Sequence, residues 1–199
     1  MSFDYHVILG TIAAGGSLIG YALYFRSIIQ GITKPHPFTW FIFFIIDGTV
    51  FVAQLVSGAG PGAWVIGVSS FMNSIVFLFA LVRGEKRIVR VDWVCLICAF
   101  LGIVLWWITS EPFLGVLFAT AADAIAKIPT FRKSYLRPNE ESVSLWSLDI
   151  IKFSLGLVAL SSFTVTTAIF PAEAAITNVL LVGFVLLRRR QLAHKLSNL

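Results

Sequence analysis

Seven polar side chains lie inside stretches of this sequence that are otherwise apolar. They are carboxylates, carboxamides and one ammonium group: Asp47, Gln54, Asn73, Asp123, Asp149, Lys152 and Asn178. A charged or amide group in an apolar medium is costly unless it has a partner, so such groups usually face a cavity, a ligand or one another. The chemistry that they offer is hydrogen bonding, cation binding and proton exchange.

Asp47 has no basic residue within its apolar stretch, and Gln54 follows it seven positions later on the same face of a helix. A lone carboxylate in this setting predicts either a proton carrier or a counter-ion for a cationic ligand. Asp123 is a second candidate for proton coupling, although Lys127 follows it by four positions. Because side chains three or four positions apart meet on a helix, we expect Asp123 and Lys127 to pair, and Asp149 to pair with Lys152.

Two pairs of residues recur at a matched spacing. Asn73 lies 33 positions after Trp40, and Asn178 lies 32 positions after Trp146. This spacing predicts an internal repeat in which the two amides, each with donors and an acceptor, face each other across a cavity. The alternative is that each amide bridges neighbouring helices. For the two tryptophans, an aromatic belt at a membrane interface is one explanation, and stacking on a ligand is the other.

The composition indicates which elements hold these groups. The chain has 199 residues, of which 58% are hydrophobic and only 13% are charged, whereas about 25% of the residues of a soluble domain are charged. A soluble fold of this length has no way to hide so much apolar surface, so lipid is the expected solvent. The apolar runs are continuous and do not alternate with polar residues, which favours helices over barrel strands.

About 20 apolar residues are needed to cross a bilayer as a helix. Turn residues and charges divide the chain into seven predicted spans, which are Val7–Ile29, Pro37–Val56, Gly62–Val82, Val91–Ile108, Pro112–Phe131, Val143–Phe163 and Thr167–Leu187. The joints between the spans are short, and a bend is expected near Pro171. No soluble domain fits between any two spans.

The basic residues are distributed unevenly over these joints. Of the 15 Lys and Arg residues, 14 lie in or beside the first, third and fifth joints or in the carboxyl-terminal tail. They are Arg26 and Lys34; Arg83, Lys86, Arg87 and Arg90; Lys127, Arg132, Lys133 and Arg137; and Arg188, Arg189, Arg190 and Lys195. Asp4, Glu111 and Glu173 fall on the other side. Because basic residues of short loops stay in the cytoplasm, the amino terminus is predicted outside and the carboxyl terminus inside. The basic tail favours lipid headgroups, and not nucleic acid, as its partner. The expected location is the inner membrane of a bacterium.

The matched landmarks organise the seven spans into copies. The first three and the last three spans form two parallel three-helix repeats, and the fourth span links them and restores their common orientation. The predicted units are a first bundle at 1–90, a linker helix at 91–109 and a second bundle with its short tail at 110–199. The glycine series Gly10, Gly15, Gly16 and Gly20 predicts close packing of the first span against its neighbours.

One motif adds a family resemblance. Pro129-Thr130-Phe131-Arg132-Lys133-Ser134, continued by Glu141-Ser142-Val143-Ser144, resembles the signature of the superfamily that contains the SWEET sugar transporters, PQ-loop transporters such as cystinosin, the KDEL receptor and the bacterial nicotinamide riboside transporters. Thr130 stands where a PQ-loop protein has glutamine, and the first copy has Arg26-Ser27 without a proline. The resemblance implies the three-plus-one-plus-three plan. It also implies a substrate grip by one asparagine from each repeat, here Asn73 and Asn178.

Together these features predict a carrier that moves a small polar solute, such as a sugar, an amino acid or a vitamin-like compound, by alternating access at a midplane site. The predicted substrate-binding residues are Asp47, Gln54, Asn73, Asn178, Trp40 and Trp146, and the proton-coupling candidates are Asp47 and Asp123. A membrane receptor or assembly factor on the same fold is the alternative. An enzyme, a cofactor and a metal site are not expected, because the three histidines are scattered over both faces. Association into a homo-oligomer is left open.

Overall fold

The computed structural model describes residues 4–31, 35–84, 90–136, 138–140 and 143–197. Over these ranges the regular structure is helical, with seven α-helices and two short 3₁₀ turns. The helices are α1 (Tyr5–Ile29), α2 (Pro37–Val56), α3 (Trp64–Arg83), α4 (Arg90–Thr109), α5 (Pro112–Leu136), α6 (Val143–Val158) and α7 (Val165–Ser197), and the turns are Gly60–Ala63 and Pro138–Glu140. The prediction of an all-helical protein is confirmed. Lys34, Lys86, Arg87, Arg137 and the motif residues Glu141-Ser142 lie outside the described residues.

The helices have the length and the surface of membrane spans. Within the described ranges, four segments are long and apolar enough to cross a bilayer, namely Tyr5–Arg26, Pro37–Val56, Gly60–Arg83 and Val165–Ala193, and Trp93–Thr109 is a shorter apolar helix. Large apolar side chains also face outward on most helices: Trp107 and Val82 are each 83% exposed, and Phe71 is 61% exposed. Exposed apolar surface on this scale is suited to lipid. These features indicate an integral membrane protein.

Two helix boundaries differ from the predicted spans. α6 ends at Val158, before the predicted limit at Phe163, and α7 begins at Val165 and continues past Pro171. A proline inside a helix leaves the carbonyl four positions earlier without its usual donor. That carbonyl belongs to Thr167, and the side-chain Nε2 of Gln54 donates a hydrogen bond to it. Because a neighbouring helix supplies the missing donor, α7 needs no joint at the proline.

The helices pack as two similar groups. α3 packs against both α1 and α2, and α7 packs in the same way against both α5 and α6. Between the groups, α1 contacts α6 and α2 contacts α5. Exchanging the first three helices for the last three therefore reproduces the same set of neighbours. α4 packs on α5 and α2.

The two ends of the bundle differ in character. One end, here called the glycine end, contains the joint at 57–63 and the equivalent joint at 159–164. Gly58 and Gly60 have φ angles of 74° and 61°, which glycine adopts without strain. The backbone N–H of Ser161 donates to the carbonyl of Ala59 at 2.9 Å, so the two joints meet. The opposite end, here called the basic end, carries the described arginines Arg26, Arg83, Arg90, Arg188, Arg189 and Arg190.

The glycine end is closely packed. A Cβ added to Gly62 would lie 2.7 Å from the carbonyl oxygen of Gly156, and one added to Gly156 would lie 2.7 Å from Cγ1 of Val65. Ala59, Ala63 and Leu160 are also buried here. Small residues of the Gly60–Ala63 turn and of α6 thus let the two groups of helices touch, and they close this end.

Candidate functional site: a central cavity

A cavity of about 260 Å³ lies between the two groups of helices. Every helix except α4 contributes to its wall. The polar and aromatic residues that line it are Ser17, Tyr21, Tyr24, Trp40, Phe43, Asp47, Asn73, Asp123, Lys127, Thr130, Trp146, Asp149, Lys152, Phe153, Phe170 and Asn178. The volume is slightly below the range of about 300–1,000 Å³ that is usual for drug-sized ligands. The cavity therefore suits a small molecule.

Equivalent positions of the two groups line this cavity. On α1 the lining includes Ser17, Gly20, Tyr21 and Tyr24, and on α5 it consists of Asp123, Ala126, Lys127 and Thr130, in the same steps of three, one and three residues. On α2 and α6 the series Trp40, Phe43 and Asp47 matches Trp146, Asp149 and Phe153. Asn73 and Asn178 complete the correspondence on α3 and α7. The helical repeat thus extends to the residues that line the cavity, although the side-chain type differs at most equivalent positions.

Asp47 is held by a network that joins the first three helices. Nδ2 of Asn73 donates to Oδ2 of Asp47 at 2.9 Å, and the hydroxyl of Tyr21 donates to Oδ1 of Asn73 at 2.6 Å. Asp47 and Asn73 are 9% and 3% exposed. Among the described residues, no lysine or arginine forms an ion pair with Asp47. The carboxylate therefore has a neutral partner on Oδ2 and leaves Oδ1 for a ligand.

The second group of helices is joined by a lysine instead. Nζ of Lys127 forms an ion pair with Asp123 on its own helix, contacts Oε1 of Glu173 on α7 at 3.3 Å, and donates to Oγ1 of Thr177 at 2.8 Å. Lys127 and Tyr21 occupy equivalent positions, and each reaches the third helix of its group. Tyr21 and Lys127 thus both link the first and third helices of their group, although one is a phenol and the other an ammonium group.

Lys152 is the second ammonium group of the cavity. It pairs with Asp149 at 2.8 Å, one turn earlier on α6, and both expected intrahelical pairs are therefore confirmed. Its Nζ also lies 4.8 Å from the ring centroid of Phe153 and 5.9 Å from that of Tyr21 on α1. These are cation–π distances. The rings of Phe153 and Tyr21 thus already accommodate an ammonium group.

Asn178 has unused hydrogen-bonding capacity. The residue is 1% exposed, and its Oδ1 is buried with no hydrogen-bond partner among the described atoms. A buried amide oxygen without a partner costs free energy that a donor on a ligand would recover. Asn178 thus differs from its equivalent Asn73, whose side chain is satisfied by the protein.

The structure brings five of the six predicted substrate-binding residues into this cavity, together with Asp123. Gln54 is the exception. It is fully buried at the glycine end, where its Nε2 donates to the carbonyl freed by Pro171 and its Oε1 has no partner among the described atoms. Seven residues advance a helix by roughly 10 Å, which takes Gln54 past the closed wall of the cavity. Gln54, predicted to contact the ligand, therefore does not line this cavity.

Two charged residues lie deeper than the sequence analysis placed them. Lys127 was assigned to the flank of a basic joint and Glu173 to the opposite side of the membrane. Both lie inside helices, at 9% exposure for Lys127, and they contact each other. Because the two opposite charges compensate each other, neither side chain has to be hydrated in a loop. The asymmetry of the remaining basic residues is unaffected.

The glycine series on α1 has two functions where the sequence analysis expected one. Gly10 packs closely, because an added Cβ would lie 2.8 Å from Cβ of Pro61. Gly16 and Gly20 line the cavity, and nothing lies within 4 Å of a Cβ at either position. Missing side chains there leave room for a ligand. Spacing alone does not distinguish a glycine that packs against a helix from a glycine that lines a cavity.

Tyr21 and Tyr24 are cavity residues that the sequence analysis missed. Trp40 lies 4.9 Å from Tyr24, 6.4 Å from Tyr21 and 6.0 Å from Phe43, as measured between ring centroids. The signal was present, because both tyrosines lie on the α1 face that carries Gly16 and Gly20. Trp40 is thus partly buried in a group of aromatic rings that lines the cavity.

Comparisons with protein-family models, curated proteins and solved structures find no match to this chain. The functional argument therefore rests on the geometry of the cavity. That geometry offers an aromatic surface, a carboxylate with one oxygen available and an amide without a partner. Such a set can bind and orient a small polar ligand by hydrogen bonds and charge.

Proposed function

We propose that the protein is a seven-span membrane carrier for a small polar solute. Its two three-helix bundles, α1–α3 and α5–α7, are related by an axis along the membrane normal, and α4 is the linker. The solute binds in the central cavity, and the bundles move against each other to open it to one side at a time. The resemblance to the SWEET and PQ-loop superfamily is consistent with this proposal.

The observation that carries the proposal is the position of the cavity. It lies at the interface of the two bundles, is lined by equivalent positions of both, and contains a buried amide oxygen without a partner. A cavity on this axis changes shape whenever the bundles rotate. A receptor on the same fold would bind its ligand in such a cavity without moving it across the membrane, so solute exchange is the property that distinguishes the two functions.

The orientation proposed for the carrier follows from its two ends. The basic end is placed in the cytoplasm, because arginine and lysine are retained there. The glycine end then faces outside, and its close packing makes this conformation closed to the outside. Gly62 of the turn before α3 and Gly156 of α6, which lie in close contact, form the outer gate in this proposal.

Proton coupling is proposed for the carboxylates of the cavity. Asp123 and Glu173 share the single ammonium group of Lys127. A proton bound by this cluster would neutralise its net charge, and the exchange of that proton would change the attraction between α5 and α7. Asp47 is the other candidate, because no described lysine pairs with it.

The test is solute exchange in liposomes that contain the purified protein. A thermal-stability screen over sugars, amino acids, nucleosides and small amines first finds a ligand, since one present at 100 times its dissociation constant adds about 2.7 kcal/mol of stability. Counterflow of that labelled ligand should be saturable, and Asn178→Ala should reduce it. Asn139→Ala, an exposed asparagine in a joint, is the matched control. A folded protein that exchanges none of the stabilising compounds would refute the carrier.

A further inference from the structure

The charges of the cavity are unbalanced. Each lining lysine pairs with the aspartate of its own helix, and Lys127 is additionally shared with Glu173. Asp47 remains without an ion pair among the described residues: Asn73 is its hydrogen-bond partner, and the ammonium groups of Lys152 and Lys127, each paired with another carboxylate, act on it only from a longer distance. A buried carboxylate that lacks a counter-ion is unfavourable in a medium of low polarity. The cavity as it stands therefore favours an occupant with positive charge and disfavours an anion.

The aromatic wall lies beside the same carboxylate. Trp40 and Phe43 precede Asp47 by seven and four positions and line the cavity with it. Tyr24 packs on Trp40 at 4.9 Å between ring centroids. The faces of tryptophan, tyrosine and phenylalanine attract cations, most strongly when water is excluded. A carboxylate next to an aromatic wall is a combination that recognises alkylated ammonium groups.

Lys152 shows that neighbouring aromatic rings of the cavity hold a cation. Its ammonium group lies over Phe153 and near Tyr21, on the two helices α6 and α1 that belong to different bundles. At the same time it is paired with Asp149, so it is not available to compensate Asp47 fully. The protein's own cation thus occupies one part of the aromatic surface, and the part formed by Tyr24 and Trp40 is open to the cavity.

We propose that the cavity binds a small organic cation, a primary to quaternary alkylammonium compound with a polar tail. The cationic group lies between Oδ1 of Asp47 and the ring of Trp40, and a hydroxyl or amide of the tail forms a hydrogen bond with the side-chain amide of Asn178, which lines the cavity. The proposal rests on the carrier function proposed above and adds the class of solute. Neutral solutes and anions are predicted to bind weakly.

Choline and its uncharged isostere 3,3-dimethyl-1-butanol provide the test, since they share shape and hydroxyl group and differ in charge. Choline should raise the unfolding temperature of the purified protein in a concentration-dependent manner, and the isostere should not at equal concentration. Equilibrium binding of labelled choline should weaken by roughly tenfold or more in Asp47→Asn and in Trp40→Leu. The matched controls are Asp4→Asn, at an exposed helix cap that asparagine also satisfies, and Trp107→Leu, at an exposed ring.

The outcomes separate this inference from the carrier function. Equal stabilisation by the isostere, or unchanged choline affinity in Asp47→Asn, would overturn the cation proposal. So would counterflow of glucose without counterflow of choline, a result that leaves the carrier intact. Binding of choline without exchange in liposomes would support the cation site and refute the carrier.

Discussion

The two equivalent asparagines should respond differently to the same substitution. Asn73 donates to Asp47 and accepts from Tyr21, so Asn73→Ala leaves a carboxylate oxygen and a hydroxyl without their partners. Hydrogen bonds between membrane helices contribute about 0.6 kcal/mol on average and up to about 1.7 kcal/mol. For two such bonds we expect Asn73→Ala to lower the free energy of unfolding by roughly 1–3 kcal/mol.

Asn178→Ala should cost much less stability. No described residue forms a hydrogen bond with this side chain, and its Oδ1 is already without a partner. Removal of the amide takes away an unsatisfied group, so we expect a change of less than about 1 kcal/mol. Ligand binding should nevertheless weaken, because the amide of Asn178 lines the cavity and is a proposed contact to the solute.

Reversible unfolding in mixed detergent micelles measures both variants. A difference of 1–2 kcal/mol between them corresponds to a factor of about 5–30 in the equilibrium constant of unfolding, which such an assay resolves. Equal destabilisation by the two substitutions would refute the reasoning, since it would mean that Asn178 has partners of the same strength. Wild-type ligand affinity in Asn178→Ala would remove this residue from the site.

Three further predictions concern charge, packing and topology. Lys127→Met should lower the free energy of unfolding by about 3 kcal/mol, because two carboxylates lose their shared ammonium group, and neutralising both carboxylates in the same variant should restore most of the loss. Gly156→Val should keep the glycine end from closing and abolish exchange, as a Cβ there already meets a neighbouring valine at 2.7 Å, whereas Gly183→Ala, with nothing within 4 Å, should be neutral. In intact cells a cysteine at Ser57 should react with an impermeant thiol reagent, and a cysteine at Asn139 should not.

Each of these predictions has a result that contradicts it. Lys127→Met at wild-type stability would mean that the two carboxylates do not need the ammonium group. Normal exchange by Gly156→Val would show that the glycine end is not a gate. Labelling of Asn139 from outside would reverse the proposed orientation, and with it the assignment of the outer gate.

The sequence by itself determined the class of fold. Continuous apolar runs of span length leave no stable alternative to helices in lipid, so composition and the positions of charges were enough to predict the seven helices of the described chain. Spacing along a helix was also sufficient to predict the ion pairs Asp123–Lys127 and Asp149–Lys152, because both members of each pair lie on one helix.

The candidate site could be predicted from sequence only in part. Polar residues in apolar runs identified Asp47, Asn73 and Asn178 as residues that need a partner, and the matched tryptophans indicated the repeat. The sequence had no means to show that Asn73 is satisfied by Tyr21 and Asp47 while Asn178 is not, since these partners lie on other helices. For the same reason, the sequence does not show which glycines of α1 pack against a neighbouring element and which line the cavity.

The tertiary structure decided which polar groups are structural and which are available. Gln54 looked like a companion of Asp47 by spacing, yet it supplies the donor that Pro171 removes from α7. Lys127 and Glu173 looked like residues of opposite loops, yet they compensate each other between two helices. In each case the decisive interaction joins elements distant in the chain. Periodicity describes one helix at a time, whereas the balance of charges and hydrogen bonds in a cavity is set by helix packing.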